Sequence, residues 1–339
     1  MPATMSAFRR GGVSRLQLLV LAMSMSALLV SCASSVSPET GSSEAGSYPR
    51  TVTDRYGTKT KINSADHVVA AYGSVSDAIF GLGEGDRLVG RDALSADWPP
   101  GQIDKVPGIG TYSELNVEGI VALGTNLLII PDRYASLEDN RQVTQQLEAA
   151  GIAVLALPEE RRAKEDGGYS VELIEDSVRL IADALGVPGK ADQLIGQMRQ
   201  EETAARAAAD RHCMKFRTLD VRALGPDSIL VVGRGGPGDL FVRLTGSQNV
   251  AAEAGMQNFA EPEPEALVPL RPDVVFGRSE LWEGGKDGVA YHKALPGIGQ
   301  SPAAEAGRIF PVDNLGISAS WRLIGYAREL AEKLASLEC

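Results

Sequence analysis

The side chains best suited to holding a ligand in this chain are arginines and aromatic residues gathered at predicted loop tips. They are Arg91, Asp92, Tyr112, Arg133, Tyr134, Arg234, Phe241, Arg278, Trp282, Tyr291, His292, Trp321 and Arg322. In open α/β sheets ligands sit beyond the carboxyl ends of the strands. Guanidinium groups ion-pair with anions and stack on flat rings, and aromatic faces attract cations. The mixture suits an anionic, planar or aromatic small molecule. Nucleophilic catalysis has no comparable support, because G-x-S-x-G, S-x-x-K and HExxH are absent. Gly233, Gly235 and Gly238 match G-x-G-x-x-G after a predicted strand, Ser228 to Val232. A dinucleotide site needs that motif to open the first βαβ unit and run straight into a helix. Here Pro237 and Asp239-Leu240-Phe241 are expected to interrupt it, so a ligand-facing glycine-rich loop is the better reading.

Composition narrows the partners. The chain has 339 residues, 33 Lys+Arg against 44 Asp+Glu, 3 His, 3 Cys and 44% hydrophobic residues. That length suits one large or two medium domains. A net charge of −11 argues against nucleic acid, whose phosphates need clustered Lys and Arg. Three cysteines without CxxC spacing make neither a disulfide scaffold nor a zinc site.

The N-terminus has the layout of an export signal. Arg9, Arg10 and Arg15 precede an apolar stretch, Leu16 to Val30, which is shorter than the roughly 20 residues a spanning helix needs. Leu29-Val30-Ser31-Cys32 resembles a bacterial lipobox, with Cys32 the lipidated residue of the mature chain; the alternative is an uncleaved signal anchor with an incidental cysteine. Residues 1–31 are thus expected to be a lipoprotein signal peptide and 32–47, rich in Gly and Ser, a flexible tether. Cleavage removes three arginines and no carboxylate, moving the net charge from −11 to −14. Outside the cytoplasm Cys213 and Cys339 can pair, or remain as two free or buried thiols.

The elements that must position the loop tips alternate between strand and helix. Tyr48 to Lys61 reads as a hairpin around Tyr56-Gly57. His67–Tyr72, Asn126–Ile130 and Ile152–Leu157 read as buried strands, and Arg87–Val89 begins another. Helices are predicted over Val75–Leu82, Gln142–Ala150 and Val171–Leu185, the last with apolar residues at Val171, Ile174, Val178, Ile181 and Leu185. After a long helix at about 190–211 the alternation resumes with Phe216–Val221, Ser228–Val232, Val274–Phe276 and Arg308–Val312, and Arg322–Leu337 closes the chain as an amphipathic helix. The pattern predicts βαβ units with parallel sheets: a lobe over 48–189, a linking helix over 190–211, and a lobe over 212–339. An internal repeat relates the two. Glu118-Gly119-Ile120-Val121-Ala122-Leu123 before Asn126-Leu127-Leu128 lies on Glu265-Ala266-Leu267-Val268-Pro269-Leu270 before Asp273-Val274-Val275.

These features together resemble a known family, the helix-hinged periplasmic substrate-binding proteins of ABC importers for iron–siderophore, haem and cobalamin. The resemblance covers almost all of residues 48–339. It rests on Tyr72-Gly73-Ser74-Val75-Ser76-Asp77-Ala78-Ile79, Leu82-Gly83-Glu84-Gly85-Asp86-Arg87-Leu88-Val89-Gly90-Arg91-Asp92, Pro99 and Val106-Pro107-Gly108-Ile109-Gly110. It continues through the two Glu repeats and Leu295-Pro296-Gly297-Ile298-Gly299-Gln300-Ser301-Pro302-Ala303. It implies an α/β fold of two Rossmann-like lobes with central parallel sheets joined by one long helix (class III). It further implies a lipid-anchored, extracytoplasmic binding protein that is not an enzyme, has no cofactor of its own, and delivers an iron chelate to a permease dimer with its ATPase. Glu118 and Glu265 match the family's surface glutamates that dock on permease arginines; as carboxylates at helix starts they would also be favourable locally. Arg91, Tyr112, Tyr134, Arg234, Arg278, Trp282, His292, Trp321 and Arg322 are the expected ligand-binding residues. Haem iron needs an axial ligand such as Tyr or His, and Tyr112 or His292 are the residues expected to supply it. Haem-binding members carry a tyrosine at the place of Thr111, one residue before Tyr112. The Leu295–Ala303 stretch is nearer the haem branch, whereas Gly316 to Arg322 suits a siderophore pocket equally well, which puts haem only a little ahead of ferric siderophore. Cobalamin, or a zinc or manganese ion, is the alternative ligand; of His67, His212 and His292 only the last is well placed for a metal.

Overall fold

The computed structural model describes residues 46–93, 99, 101–225, 228–278 and 288–338. The chain enters through a hairpin, β1 (Arg50–Thr53) against β2 (Lys59–Ile62), in the register Arg50↔Ile62 to Thr53↔Lys59. Asp54 holds its turn, accepting from the backbone N–H of Tyr56 at 2.9 Å and of Thr58 at 2.8 Å.

The first lobe is built on four parallel strands in the order β4-β3-β7-β8. β3 is Val68–Ala70 and leads into α1, Gly73–Gly81; β4 is Leu88–Arg91. A small ladder, β5 (Gly110–Thr111) with β6 (Glu114–Leu115), precedes α2, Val117–Ala122. β7 (Leu127–Pro131) runs into α3 (Asp132–Ala135) and α4 (Glu138–Ala149), and β8 (Ala153–Leu157) into α5, Glu159–Asp166. Strands covered on both faces read as unbroken apolar runs, and alternate side chains go to opposite layers. Val68, Leu127 and Ile129 pack with Val75 and Ile79 of α1 and with the helix α6, Val171–Ala184. Val69, Leu128 and Ile130 pack with Ile120 of α2 and Leu147 of α4. Ser170 caps α6, its hydroxyl accepting from the Leu173 N–H at 3.2 Å.

The linking helix α7 spans Pro188–Ala209, with proline in its first turn, where a missing N–H costs nothing. It is ion-paired to a helix on either side. Buried Glu175 of α6 accepts Arg199 of α7 at 2.8 and 2.7 Å, and Glu201 of α7 pairs with Arg328 of α12, Arg322–Ala335. Both lobes and α7 belong to one compact unit, Ser43–Cys339.

The second lobe holds β9 (Arg217–Gly225), β10 (Ser228–Val232), α8 (Pro237–Leu244), β11 (Gln248–Asn249), α9 (Val250–Glu253) and β12 (Phe259–Ala260). A 3₁₀ turn, Pro264–Leu270, leads to β13 (Val274–Arg278); α10 (Gly288–Ala294), α11 (Pro302–Glu305) and β14 (Ile309–Val312) complete it before α12. The strand order is β12-β10-β9-β13-β14, with β11 beside β9. β13 is parallel to β9 and β14, but β10 is antiparallel to β9 and to β12. The sheet is therefore mixed rather than wholly parallel as predicted. Only residues 226 and 227 separate β9 from β10, far too few for a crossover, so the pair closes as a hairpin.

The sequence repeat is a structural repeat. Asn126 N–H donates to His67 O at 2.9 Å, and Asp273 N–H to Arg217 O at 2.8 Å. The side chains close the ring in return: His67 N–H donates to Asn126 Oδ1 at 2.9 Å, Arg217 N–H to Asp273 Oδ2 at 3.0 Å. Even the left-handed residue recurs, Gly124 at φ +65° and Arg271 at φ +41°.

Candidate ligand-binding site

Three tyrosines converge at the carboxyl ends of the first lobe's strands. Tyr72 follows β3, Tyr134 lies in α3 directly after β7, and Tyr112 sits between β5 and β6. Their ring centroids are 4.4 Å apart for Tyr112–Tyr134, 4.7 Å for Tyr72–Tyr134 and 5.5 Å for Tyr72–Tyr112. Such tilted and edge-on pairs are favourable contacts. The Arg133 guanidinium lies 5.0 Å from the Tyr134 ring centroid, within cation–π range. Tyr134 is buried, while Tyr72, Tyr112 and Arg133 are half-buried.

Two buried polar side chains fix this cluster. Asn140 of α4 is fully buried, and its Nδ2 donates to Tyr112 O at 2.7 Å and Tyr134 O at 3.1 Å. Asp92, also buried, accepts from the Tyr112 N–H at 3.1 Å. Neither Tyr72 nor Asn140 stood out in the sequence, because only the fold brings residues 72, 112, 134 and 140 together. Burial raises the pKa of the Tyr72 and Tyr134 phenols. Burial likewise pushes Glu159, the first residue of α5, up to about 7 and raises the pKa of the Tyr169 phenol.

The predicted cations are placed differently. The Arg91 guanidinium donates to Ile103 O at 3.0 Å, Val106 O at 3.1 Å and Asp92 O at 3.1 Å, which ties the end of β4 to residues 103–106. Arg234 is exposed, with Nη2 donating to Ala252 O at 3.2 Å. Arg278 ends β13, opposite Val312 of β14. Trp282 lies outside the described residues. Trp321 and Arg322 join the lobes: Trp321 Nε1 donates to Asp77 O of α1 at 2.9 Å, and Arg322 Nη1 lies 3.5 Å from Asp77 Oδ1. Between them Ser320 donates to Asp77 Oδ2 at 2.6 Å.

His292 was expected in a loop but lies in α10, fully buried, with Nδ1 2.6 Å from Gly288 O. It faces the buried pair Asp220–Arg222 of β9, and burial lowers its pKa. The other two histidines serve the backbone elsewhere, His67 Nδ1 at 3.0 Å from Gly124 O and His212 Nε2 at 3.0 Å from Ala331 O. Among the described residues no three His, Cys, Asp or Glu side chains gather as a metal site would require.

The glycine-rich segment also differs from its prediction. Pro237 does not interrupt a helix; it begins α8, in the first turn that proline tolerates. The loop ahead of it meets the first lobe. Tyr169 N–H donates to Gly235 O at 3.1 Å, and Arg243 Nη2 to Tyr169 O at 2.8 Å.

Glu118 and Glu265 are both exposed, each in the first turn of its short helical element. Cys213 is disulfide-bonded, with Sγ 3.5 Å from Leu337 O; Cys339 and Cys32 lie outside the described residues. Among the described residues no helix is long and apolar enough to cross a membrane.

Two α/β lobes on one linking helix, with aromatic groups at the strand ends of the first, are the architecture of a substrate-binding protein. The periplasmic binding protein family model matches residues 68–314, and the chain belongs to that family. An uncharacterized ABC transporter substrate-binding lipoprotein of Bacillus subtilis, YvrC, is 25% identical over 280 residues, covering 79% of each chain. A cobalamin-binding protein of Halobacterium salinarum is 25% identical over 278 residues, 78% of this chain and 69% of its own length. The apo structure of the periplasmic heme-binding protein RhuT from Roseiflexus sp. RS-1 superimposes with a TM-score of 0.68 at 28% identity, covering 80% of this chain and all of that one.

Proposed function

We propose that this chain is the extracytoplasmic, lipid-anchored binding subunit of an ABC importer and carries an iron chelate, with haem ahead of ferric siderophore. The observation that carries the reading is the tyrosine cluster at the strand ends with Arg133 beside it. A flat macrocycle can stack on phenol faces, and its carboxylates can pair with a guanidinium. Tyr112, half-buried in the cluster and fixed through its backbone by Asp92 and Asn140, is the phenol assigned to ferric iron. His292, enclosed beside Asp220 and Arg222, is assigned to the second lobe's core instead. The likeness to a haem-binding structure supports haem. The cobalamin-binding relative keeps cobalamin as the second reading. Binding and release leave the chelate chemically unchanged, and the lobes supply shape, charge and the Tyr112 phenol.

Cys32 would carry the lipid and residues 32–47 the tether. Glu118 and Glu265 would dock on the permease, one carboxylate from each lobe on a scaffold stiffened by α7. Titrating the mature chain with haem, a ferric siderophore and cobalamin, followed by visible absorbance, tests the ligand. A Soret band is expected that shifts and weakens in Tyr112→Phe and keeps its position in His292→Gln. A response to ferric siderophore alone would remove haem, and silence with all three would end the iron-chelate reading.

A further inference from the structure

We propose that the β1–β2 hairpin is a second attachment to the membrane, with Arg55, Lys59 and Lys61 resting on the anionic headgroups of the lipid layer that anchors Cys32. The proposal rests on the lipid anchor given above and adds to it a surface of the folded chain.

The chain as a whole is acidic, and the hairpin is not. Arg50, Arg55, Lys59 and Lys61 stand there against a single carboxylate, Asp54. Arg50 is buried, and Asp54 is occupied by the N–H groups of the turn. The other three cations are exposed. Side chains alternate across a strand, and the register sets Thr51 opposite Lys61 and Thr53 opposite Lys59. One face of the hairpin enters the first lobe's core through Val52 and Ile62, and the other presents two lysines and two threonines to solvent. Opposite charges across a hairpin stabilise it. Here each lysine faces a threonine, and neither makes an ion pair with a described residue.

The two lysines border an open groove of about 270 Å³ between β2 and the start of β8, with Thr60 and Asn63 beside them. Glu148 is the one carboxylate among its described lining residues. Ammonium, hydroxyl and amide groups all donate to phosphate oxygens. Position makes the patch useful. The hairpin follows the tether directly, and a Gly/Ser-rich chain of that length spans roughly 20 Å between its ends. A contact too weak to hold a free protein becomes populated when a tether keeps it so close. Each cation near an anionic lipid surface strengthens binding about fivefold, so three together give about a hundredfold. The acidic remainder is repelled by the same surface, which turns the hairpin side toward it.

The test footprints lysines of the lipidated mature chain by reductive methylation, read by mass spectrometry. Vesicles of phosphatidylcholine alone are compared with vesicles of phosphatidylcholine and phosphatidylglycerol in equal parts. Lys59 and Lys61 are expected to react about fivefold more slowly on the anionic vesicles and to regain the neutral-vesicle rate in high salt. Exposed Lys105 and Lys215 should not change. An unanchored Cys32→Ser chain should sediment with the anionic vesicles at low salt, and about a hundredfold more weakly once Arg55, Lys59 and Lys61 are exchanged for glutamine. Equal lysine rates on both vesicles, or equal sedimentation of the two unanchored chains, overturns the contact and leaves the lipid anchor in place; the lysines would then only guard a strand edge. Slowing by inorganic phosphate without vesicles would make the groove a site for soluble phosphate and overturn it too. An intact mass without lipid on Cys32 overturns the anchor on which it rests.

Discussion

Asp77 offers a quantitative check on how the lobes are joined. It sits on α1, is only 8% exposed, and meets the start of α12 through Ser320 and Arg322. Burial raises its pKa from 3.8 to about 6, against the opposing pull of Ser320 and Arg322 and with a further push from Asp313. The folded chain therefore keeps a proton that the unfolded chain releases. The stability this contributes is fully present below pH 3.8 and is lost as pH rises through about 6. Each pKa unit is worth about 1.4 kcal/mol, so an ionised Asp77 costs the fold about 3 kcal/mol at pH 7.5. Asp77→Asn keeps an acceptor for Ser320 and carries no charge. It should stabilise the chain by up to about 3 kcal/mol at pH 7.5, roughly 6 °C in melting temperature for a chain of this length. At pH 4 the gain should vanish. Calorimetric melts of both chains from pH 4 to pH 8 measure it. A variant less stable at pH 7.5 than at pH 4, relative to the parent, would refute the reasoning by showing that attraction to Arg322 outweighs burial.

Glu159→Gln should behave alike in a later window: burial raises Glu159 from 4.5 to about 7, so its contribution is present below pH 4.5 and lost as pH rises to about 7, and denaturant midpoints should increasingly favour the glutamine chain across that range. Asn140→Ala removes the donor to Tyr112 O and Tyr134 O; it should cost about 2 kcal/mol in stability and weaken chelate binding measured on the folded fraction, with unaltered affinity contradicting its positioning role.

The lobes were legible because their strands are apolar on both faces and their helices on one. The run Leu127–Ile130 and the spacing of Val171, Ile174, Val178 and Ile181 each imply burial without tertiary knowledge. The antiparallel β9–β10 pair was harder to read. Arg222 looks like a strand end, yet it lies inside β9, buried, with Nε 2.6 Å from Asp220 Oδ1 and Nη1 2.6 Å from Asp313 O. The predicted strand Phe216–Val221 stopped one residue short of Arg222, and with it the short link to β10 disappeared. The site was legible by residue type and not by partner. Tyr112 and Tyr134 stood out as aromatic residues at loop tips, but Asn140 looks like any polar helix residue until α4 packs beneath both. Trp321 and Arg322 had the right chemistry for a ligand, and the fold uses them against Asp77. That contact spans more than 240 residues of chain and leaves no local trace.

The central claim is that this chain binds an iron chelate and hands it to a membrane importer. Uptake of radiolabelled haem into proteoliposomes holding the cognate permease and ATPase tests it most directly. The expected result is ATP-driven accumulation that requires the mature chain and falls sharply with Tyr112→Phe. Uptake equally fast without the chain, or accumulation of neither haem nor a ferric siderophore with it, would contradict it.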